Sequence, residues 1–364
     1  MSLDAAFALH AGRFSLDVTV EAHDEIVVLF GASGAGKSLT LRALAGLVRP
    51  TSGRIVLDDE VLFDAARGID LSPEARRIGY VVQELALFPH LSVWENVAFA
   101  LPGARADRRR RAEASLAVLG LEGLGDRDPG TLSGGQRQRV ALARVLVRDV
   151  RLLLLDDPFS ALDDSIRRAL RLELRRLQRE LGRGALFVTH DLREAYLLAD
   201  RFVVLDAGRV LQAGAPDDVF SRPQSRRVAE LLGVRNLYRG QVTATAPDSV
   251  EVEVGPMRWR CGSWVDGLRV GDTVDVAVRS ERVVLRRGDR PAWNALEAVI
   301  EVEEAYGANH LLQMRPLAGG PLIEVDMPAR PYEVMGVATQ KQWLLELLPS
   351  DLHVMPASRD SVAG

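Results

Sequence analysis

Lysine is almost missing from this 364-residue chain: of 46 basic residues only Lys37 and Lys341 are lysine, and arginine fills every other cationic position. A residue so scarce marks its place, because a flexible stem with a compact ammonium suits a tight anion pocket better than a planar guanidinium. Cysteine is reduced to Cys261, which excludes an internal disulfide and a Cys-based zinc site and fits a reducing compartment. No run approaches the roughly 18 consecutive apolar residues that cross a bilayer, and Met1-Ser2-Leu3-Asp4 lacks a basic region followed by an apolar one, so the expectation is a soluble, unsecreted chain. A surplus of positive charge is also lacking: the net charge is −4, with basic and acidic residues interspersed. No domain-wide field then attracts nucleic acid, and no nucleic-acid partner is expected.

What is present suffices for two cores, since hydrophobic residues make up 47% of the chain. Residues 1–232 alternate strand-like apolar runs with helical segments, the pattern of an α/β domain with a largely parallel sheet. Leu152 to Leu155 and Ala185 to Val188 are short continuous apolar runs, as strands covered on both faces show. Ligands of such sheets lie beyond the carboxyl ends of strands, which places Asp156, Asp157 and His190 near a ligand. Gly53 to Phe63 predicts an antiparallel hairpin turning at Asp58-Asp59. Residues from about 84 to 150 predict a helical subdomain, in which Arg108 to Arg111 form a solvated face. Residues 233–364 change to short alternating segments such as Val250 to Val254 and Val274 to Val278, predicting a small all-β, barrel-like domain.

Two motifs carry the chemistry. Gly31-Ala32-Ser33-Gly34-Ala35-Gly36-Lys37-Ser38 matches G-x-x-x-x-G-K-[ST], with the apolar strand Ile26 to Phe30 before it and a helix from Ser38 after it. The glycines let successive N–H groups point inward as a nest at a helix N-terminus. Lys37 would reach the outer phosphates and Ser38 the Mg²⁺, and Leu39 completes the set of ATP-binding residues. The bland alternative is a glycine-rich turn with an incidental lysine. About a hundred residues on, Leu132-Ser133-Gly134-Gly135-Gln136 opens a helix-compatible stretch to Arg148, with Arg137, Arg144 and Arg148 on one face. The glycines at its start make a second anion site.

Over about the first 230 residues the sequence resembles the ATP-binding subunits of ABC transporters. The resemblance rests on the phosphate loop, a glutamine loop at Gln83, the signature Leu132 to Gln136, Asp156, the Ser160-Ala161-Leu162-Asp163 loop and His190 in FVTHD. It implies an α/β P-loop NTPase followed by the all-β domain, and ATP and Mg²⁺ as ligands. It also implies a homodimer in which Ser133, Gly134, Gly135 and Gln136 of one copy cap the ATP of the other. Ser38, Gln83 and Asp156 would serve Mg²⁺; Asp157, His190 and Gln83 would serve catalysis. The family usually places Glu where Asp157 stands, and Asp157 reaches about 1.3 Å less far. Hydrolysis is therefore expected to survive at a reduced rate, with a weakly hydrolysing regulatory ATPase as the alternative. Phe14 is the nearest aromatic that could stack on adenine, and core is its equal alternative.

The resemblance further implies two separate transmembrane permease subunits, a solute-binding protein engaged indirectly, and a peripheral place on the cytoplasmic face of the membrane. Glu84 to Phe99 is the matching docking stretch; its apolar residues Leu85, Leu87, Phe88, Leu91, Val93 and Trp94 could equally be core. The stretch from Gly53 through Val93 is most similar to molybdate importer ATPases, and GVRNLYRGQV at 233–242 to the barrel of oxyanion importers. These imply molybdate or tungstate first and sulfate or thiosulfate next. ENVAF, VRSERVVL and LLPSDLHVM are similar to the sulfate, polyamine and sugar subfamilies, which keeps polyamine, ferric iron or sugar as alternatives. An ABC-type ATPase outside transport is a further alternative.

Overall fold

The structure, a computed structural model, describes residues 1–82, 85–159, 164–182, 184–287 and 293–357. The chain divides into two compact units, Met1–Pro216 and Asp217–Gly364.

Five parallel strands form the centre of the first unit, in the spatial order Ile78–Val81, Leu152–Asp156, Gly184–Thr189, Ile26–Phe30 and Arg201–Asp206. Their continuous apolar runs are explained by burial on both faces: every residue of Ile26–Phe30, Leu152–Asp156 and Gly184–Thr189 is buried. Beyond Arg201–Asp206 the sheet turns mainly antiparallel. Ser2–Ala11 and Phe14–His23 pair along their whole length, and in Phe14–His23 burial alternates residue by residue, as one packed and one wet face require. Ser52–Leu57 and Glu60–Asp64 form the expected hairpin, with Asp58 at φ 55° in its turn. That left-handed conformation suits a short carboxylate that can bond locally.

Between 93 and 146 lie three α-helices, Val93–Ala98, Arg105–Val118 and Gly134–Leu146, joined by loops. Arg105–Val118 buries only Ala112 and Leu116; Arg109 and Arg110 are exposed and pair with Asp126 and Asp107, as a solvated face requires, whereas Arg108 and Arg111 are half-buried and Arg111 donates to the Val147 carbonyl. Gly134–Leu146 begins in a capping box: Ser133 Oγ accepts from the Gln136 amide at 3.2 Å, and Gln136 Oε1 accepts from the Ser133 amide at 2.9 Å. This helix ends at Leu146 with Val147 as its cap, so Arg148 lies past it rather than on the expected helical face.

In the second unit two sheets share one core. A six-stranded sheet contains Asn236–Ala246, Ser249–Val254, Met257–Cys261 and Thr273–Val278, and a five-stranded sheet contains Ala295–Tyr306, Asn309–Pro316 and Gln342–Leu347. Inward-facing Tyr238, Trp259 and Val276 of the first meet Leu312, Trp343 and Leu345 of the second. Cys261 is buried in this core, and desolvation pushes its thiol up to about 12, so it acts as a small apolar residue. Asp275, fully buried, accepts from Arg226 Nη1 and Arg239 Nε, each at 3.0 Å, tying the helix Arg226–Leu231 to the sheet. His353 adds a second tie. Its Nε2 is 3.0 Å from the Pro223 carbonyl, which only accepts, so Nε2 carries the proton and Nδ1 accepts from Ser263 Oγ at 2.8 Å.

Candidate active site

The loop after strand Ile26–Phe30 is shaped by close approach. A Cβ on Gly31 would lie 2.0 Å from the Leu205 carbonyl oxygen, so only glycine lets the loop pass over the neighbouring strand. Gly34 and Gly36 take φ of 79° and 108°, the left-handed turns that aim consecutive amides into one concavity. Helix Lys37–Leu44 starts at Gly36 without any side-chain cap, so its first-turn N–H groups and positive dipole end remain for a ligand. Beside them is a cleft of about 300 Å³ lined by Phe14, Gly34, Ala35, Gly36, Lys37, Ser38, Leu39 and Arg42. A glycine-built nest, an uncapped helix start and a lysine at the rim are the donor set a triphosphate needs, and the residues present fit it. Phe14 both lines this cleft and packs against the first unit's core.

Lys37 Nζ donates to the carbonyls of Gly31 and Ala32 at 2.8 and 2.9 Å, which leaves one N–H for an anion. Burial pulls its pKa below the ordinary lysine value, and the charges of Asp156 and Asp157 oppose that shift. Ser38 Oγ donates to Asp156 Oδ1 at 2.9 Å. With its single proton committed there, the hydroxyl keeps its lone pairs for a cation, and Asp156, 4% exposed at the end of its strand, supplies negative charge behind it. Ser38 and Asp156 therefore fit a hard divalent ion such as Mg²⁺.

Asp157 follows in a left-handed backbone conformation, φ 48°, and its Oδ2 lies 2.9 Å from His190 Nδ1. Burial raises the Asp157 pKa above the usual carboxylate value, while His190 holds it down. His190 itself projects outward with 66% of its side chain exposed. It is set by its neighbours: Thr189 Oγ1 donates to the buried Glu194 at 2.5 Å, and Asp191 caps the Glu194 amide at 2.9 Å. The structure thus brings Lys37, Ser38, Asp156, Asp157 and His190 together. The turn Leu132 to Gln136 is held by the Ser133–Gln136 capping box and by Arg137 Nη1, which donates to the Leu132 carbonyl at 2.8 Å, and the Ser133 side chain is exposed. Gln83 and the loop Ser160 to Asp163 lie outside the described residues.

One residue outside the motifs joins the cluster, and another ties the signature helix to the 85–86 loop. Tyr80, on strand Ile78–Val81, donates its hydroxyl to Asp156 Oδ2 at 3.0 Å. Arg144, on the signature helix, donates to the carbonyls of Ala86 and Leu85 at 2.7 and 2.8 Å, with Leu85 and Ala86 at positive φ. The only sequence signal for Tyr80 is a phenol in an otherwise apolar strand, whose hydroxyl needs a partner when buried. In the stretch 85–99, Val93 and Trp94 are core, while Leu85, Leu87, Phe88 and Leu91 are half-buried and Phe99 is 55% exposed. Asn96, fully buried, pins the turn there through the Phe88 amide and the carbonyls of Phe88, Leu91 and Ser92.

Comparison with known proteins agrees with this geometry. Residues 15–160 match the family described as ABC transporter. The chain is 49% identical over 307 residues to a spermidine/putrescine import ATP-binding protein of Methylococcus capsulatus, covering 82% of this chain and 77% of that one. It is 38% identical over 350 residues to the maltose/maltodextrin import ATP-binding protein of Escherichia coli, covering 93% and 91%. Among solved structures it is similar to the dimeric post-hydrolysis state of the ATP-binding cassette MJ0796 bound to ADP and Pi. There the identity is 30% and the TM-score 0.52, over 59% of this chain and 98% of that one. Among the described residues no helix is long and apolar enough to cross a membrane.

Proposed function

The chain belongs to the importer-type ATP-binding subunits of ABC transporters, ATPases that bind ATP with Mg²⁺, and on that basis we propose that two copies close on two nucleotides and drive uptake through separate permease subunits. The observation that carries this reading is the cluster of Lys37, Ser38, Asp156, Asp157 and His190 around one uncapped helix start.

The residue roles follow from phosphoryl-transfer chemistry, in which positioning and charge neutralisation do most of the catalysis. Amides of the loop from Gly31 to Leu39, together with the Lys37 side chain, hold the phosphates, with the Ala35 amide instead closing the loop on the Ala32 carbonyl; Ser38 and Asp156, with Gln83, hold Mg²⁺, which supplies charge neutralisation when bound. Asp157 takes the proton of the attacking water, and His190 orients Asp157 and faces the outer phosphate. Ser133, Gly134, Gly135 and Gln136 act on the partner's nucleotide. The capping box uses the Ser133 and Gln136 amides as donors and Ser133 Oγ and Gln136 Oε1 as acceptors, so the proton of the Ser133 hydroxyl and the Gly134 and Gly135 amides are what the turn offers. Nucleotide-driven closure moves the 85–99 stretch, which passes the change to a permease at the cytoplasmic face. The division into an ATPase domain 1–232 and a β domain 233–364 belongs to the same reading.

For the solute, the names of the relatives support an organic solute: the spermidine/putrescine protein at 49% identity favours a polyamine, and the maltose protein at 38% a sugar. A molybdate-type oxyanion is supported by the stretch from Gly53 through Val93. ATPase assays on the assembled transporter, with its binding protein loaded with putrescine, maltose or molybdate, are expected to show stimulation by putrescine; stimulation by molybdate alone would restore the oxyanion. The ATPase reading itself is tested with Lys37→Ala, for which nucleotide affinity and turnover should both collapse. Normal values in that variant would overturn it.

A further inference from the structure

Asp156 is gripped at both oxygens by two different elements. Ser38 Oγ, from the helix after the phosphate loop, reaches Oδ1 at 2.9 Å, and the Tyr80 hydroxyl, from the adjacent strand, reaches Oδ2 at 3.0 Å. The second contact follows from register: Tyr80 pairs with Leu154, so the residue two further along, Asp156, projects from the same face of the sheet. The Arg42 guanidinium lies beside the Tyr80 hydroxyl. Arg42 is one helical turn beyond Ser38, on the same face, and lines the nucleotide cleft.

The terminal torsion of an aspartate is broad and roughly two-fold, so one hydrogen bond leaves the carboxylate free to swing. Two bonds from opposite sides remove that freedom. Because a carboxylate only accepts, both hydroxyls must donate, and the direction of the Ser38 proton is set by where Oδ1 is held. The lone pairs that Ser38 turns to the cleft are thereby aimed from Tyr80, through Asp156.

We propose that Tyr80 is a positioning residue of the Mg²⁺ site: its hydroxyl locks the Asp156 carboxylate, and through it the Ser38 oxygen, in the orientation that accepts the ion. This rests on the nucleotide–metal reading above. Tyr80 acts on the ion only through Asp156. The partners of metal ligands set ligand orientation, and losing one typically weakens metal binding or activity by roughly 10- to 100-fold.

The test uses the full chain and Tyr80→Phe, which deletes one oxygen and keeps the ring. Binding of a fluorescent ATP analogue is measured in EDTA, and Mn²⁺ binding to the nucleotide complex is measured by electron paramagnetic resonance. Metal-free nucleotide affinity is expected to stay within about twofold of wild type, while the Mn²⁺ concentration for half-saturation rises by about tenfold. An unchanged Mn²⁺ half-saturation overturns the role of Tyr80 and leaves the nucleotide site standing. Equal losses of metal-free and metal-dependent binding overturn it too, as a general packing role for the tyrosine would produce. If wild-type protein and an Asp156→Asn variant bind Mn²⁺ alike, the metal site itself is misassigned.

Discussion

His190 Nδ1 lies 2.9 Å from Asp157 Oδ2, so the exposed histidine and the carboxylate that is one methylene shorter than the family's usual glutamate meet directly. Asp157 also sits at φ 48°, a conformation that aspartate and asparagine tolerate better than longer residues. Reach and backbone fit therefore pull in opposite directions at this position.

Asp157→Asn keeps the backbone preference and removes the base, and steady-state ATPase should fall by about 100-fold or more. Asp157→Glu restores reach at a backbone cost of roughly 1 kcal/mol, and should hold or raise turnover while lowering the unfolding midpoint. Undiminished turnover in the asparagine variant would remove Asp157 as the base. In the asparagine background, saturating MgATP should convert the protein to a dimer by light scattering; a persistent monomer would count against the two-copy reading.

Gly31→Ala places a methyl 2.0 Å from the Leu205 carbonyl oxygen, and neither backbone can yield cheaply. The expected result is loss of nucleotide binding together with about 2 kcal/mol or more of destabilisation in urea. Binding that survives intact would show the loop to be less tightly seated than its glycine suggests.

Asn96→Ala removes the side chain that accepts from the Phe88 amide and whose two amide hydrogens are shared among the carbonyls of Phe88, Leu91 and Ser92 in a buried turn. Unpaired backbone groups cost roughly 1–3 kcal/mol each where water cannot replace the partner. Hydrogen exchange across 85–92 should quicken, and co-purification with the permease subunits should weaken. A wild-type exchange pattern would exclude Asn96 as the pin of that segment.

His353 makes the second unit acid-sensitive. Burial lowers its pKa from 6.5 to about 4, the Pro223 hydrogen bond opposing this. A lowered folded value means the unfolded chain takes up the proton first as pH falls. The stability is thus fully present above 6.5 and is lost between 6.5 and about 4, by an amount on the order of 3 kcal/mol. Urea midpoints measured across that window should decline in the wild type and flatten in His353→Gln. A parallel decline in both would assign the acid sensitivity to other groups.

Much of the site is legible in the sequence because its parts are local. Gly34 and Gly36 announce a nest through left-handed backbone conformations that glycine adopts without strain, and Lys37 stands out in a chain of arginines. The buried central strands are legible for a similar reason: Leu152 to Leu155 and Ala185 to Val188 are apolar throughout, which only a doubly covered strand explains. The helix boundary at Leu146 is less legible, since Arg148 continues the arginine spacing beyond the point where the hydrogen-bonded turns stop. The solute is the least legible feature: in the proposed assembly it passes through separate permease subunits, so the nucleotide-binding residues of this chain carry no imprint of it.

Local chemistry along the chain is enough to dictate that a triphosphate loop follows a buried strand and that a second, β-rich unit comes after it. Both follow from short-range rules of glycine, apolar run length and alternation. Other contacts exist only once the chain has folded: Tyr80 holding Asp156, Arg144 clasping the carbonyls of Leu85 and Ala86, and Gly31 lying against Leu205. Each of these joins residues far apart along the chain, and which atoms meet depends on strand order and register, set by the packing of the whole sheet.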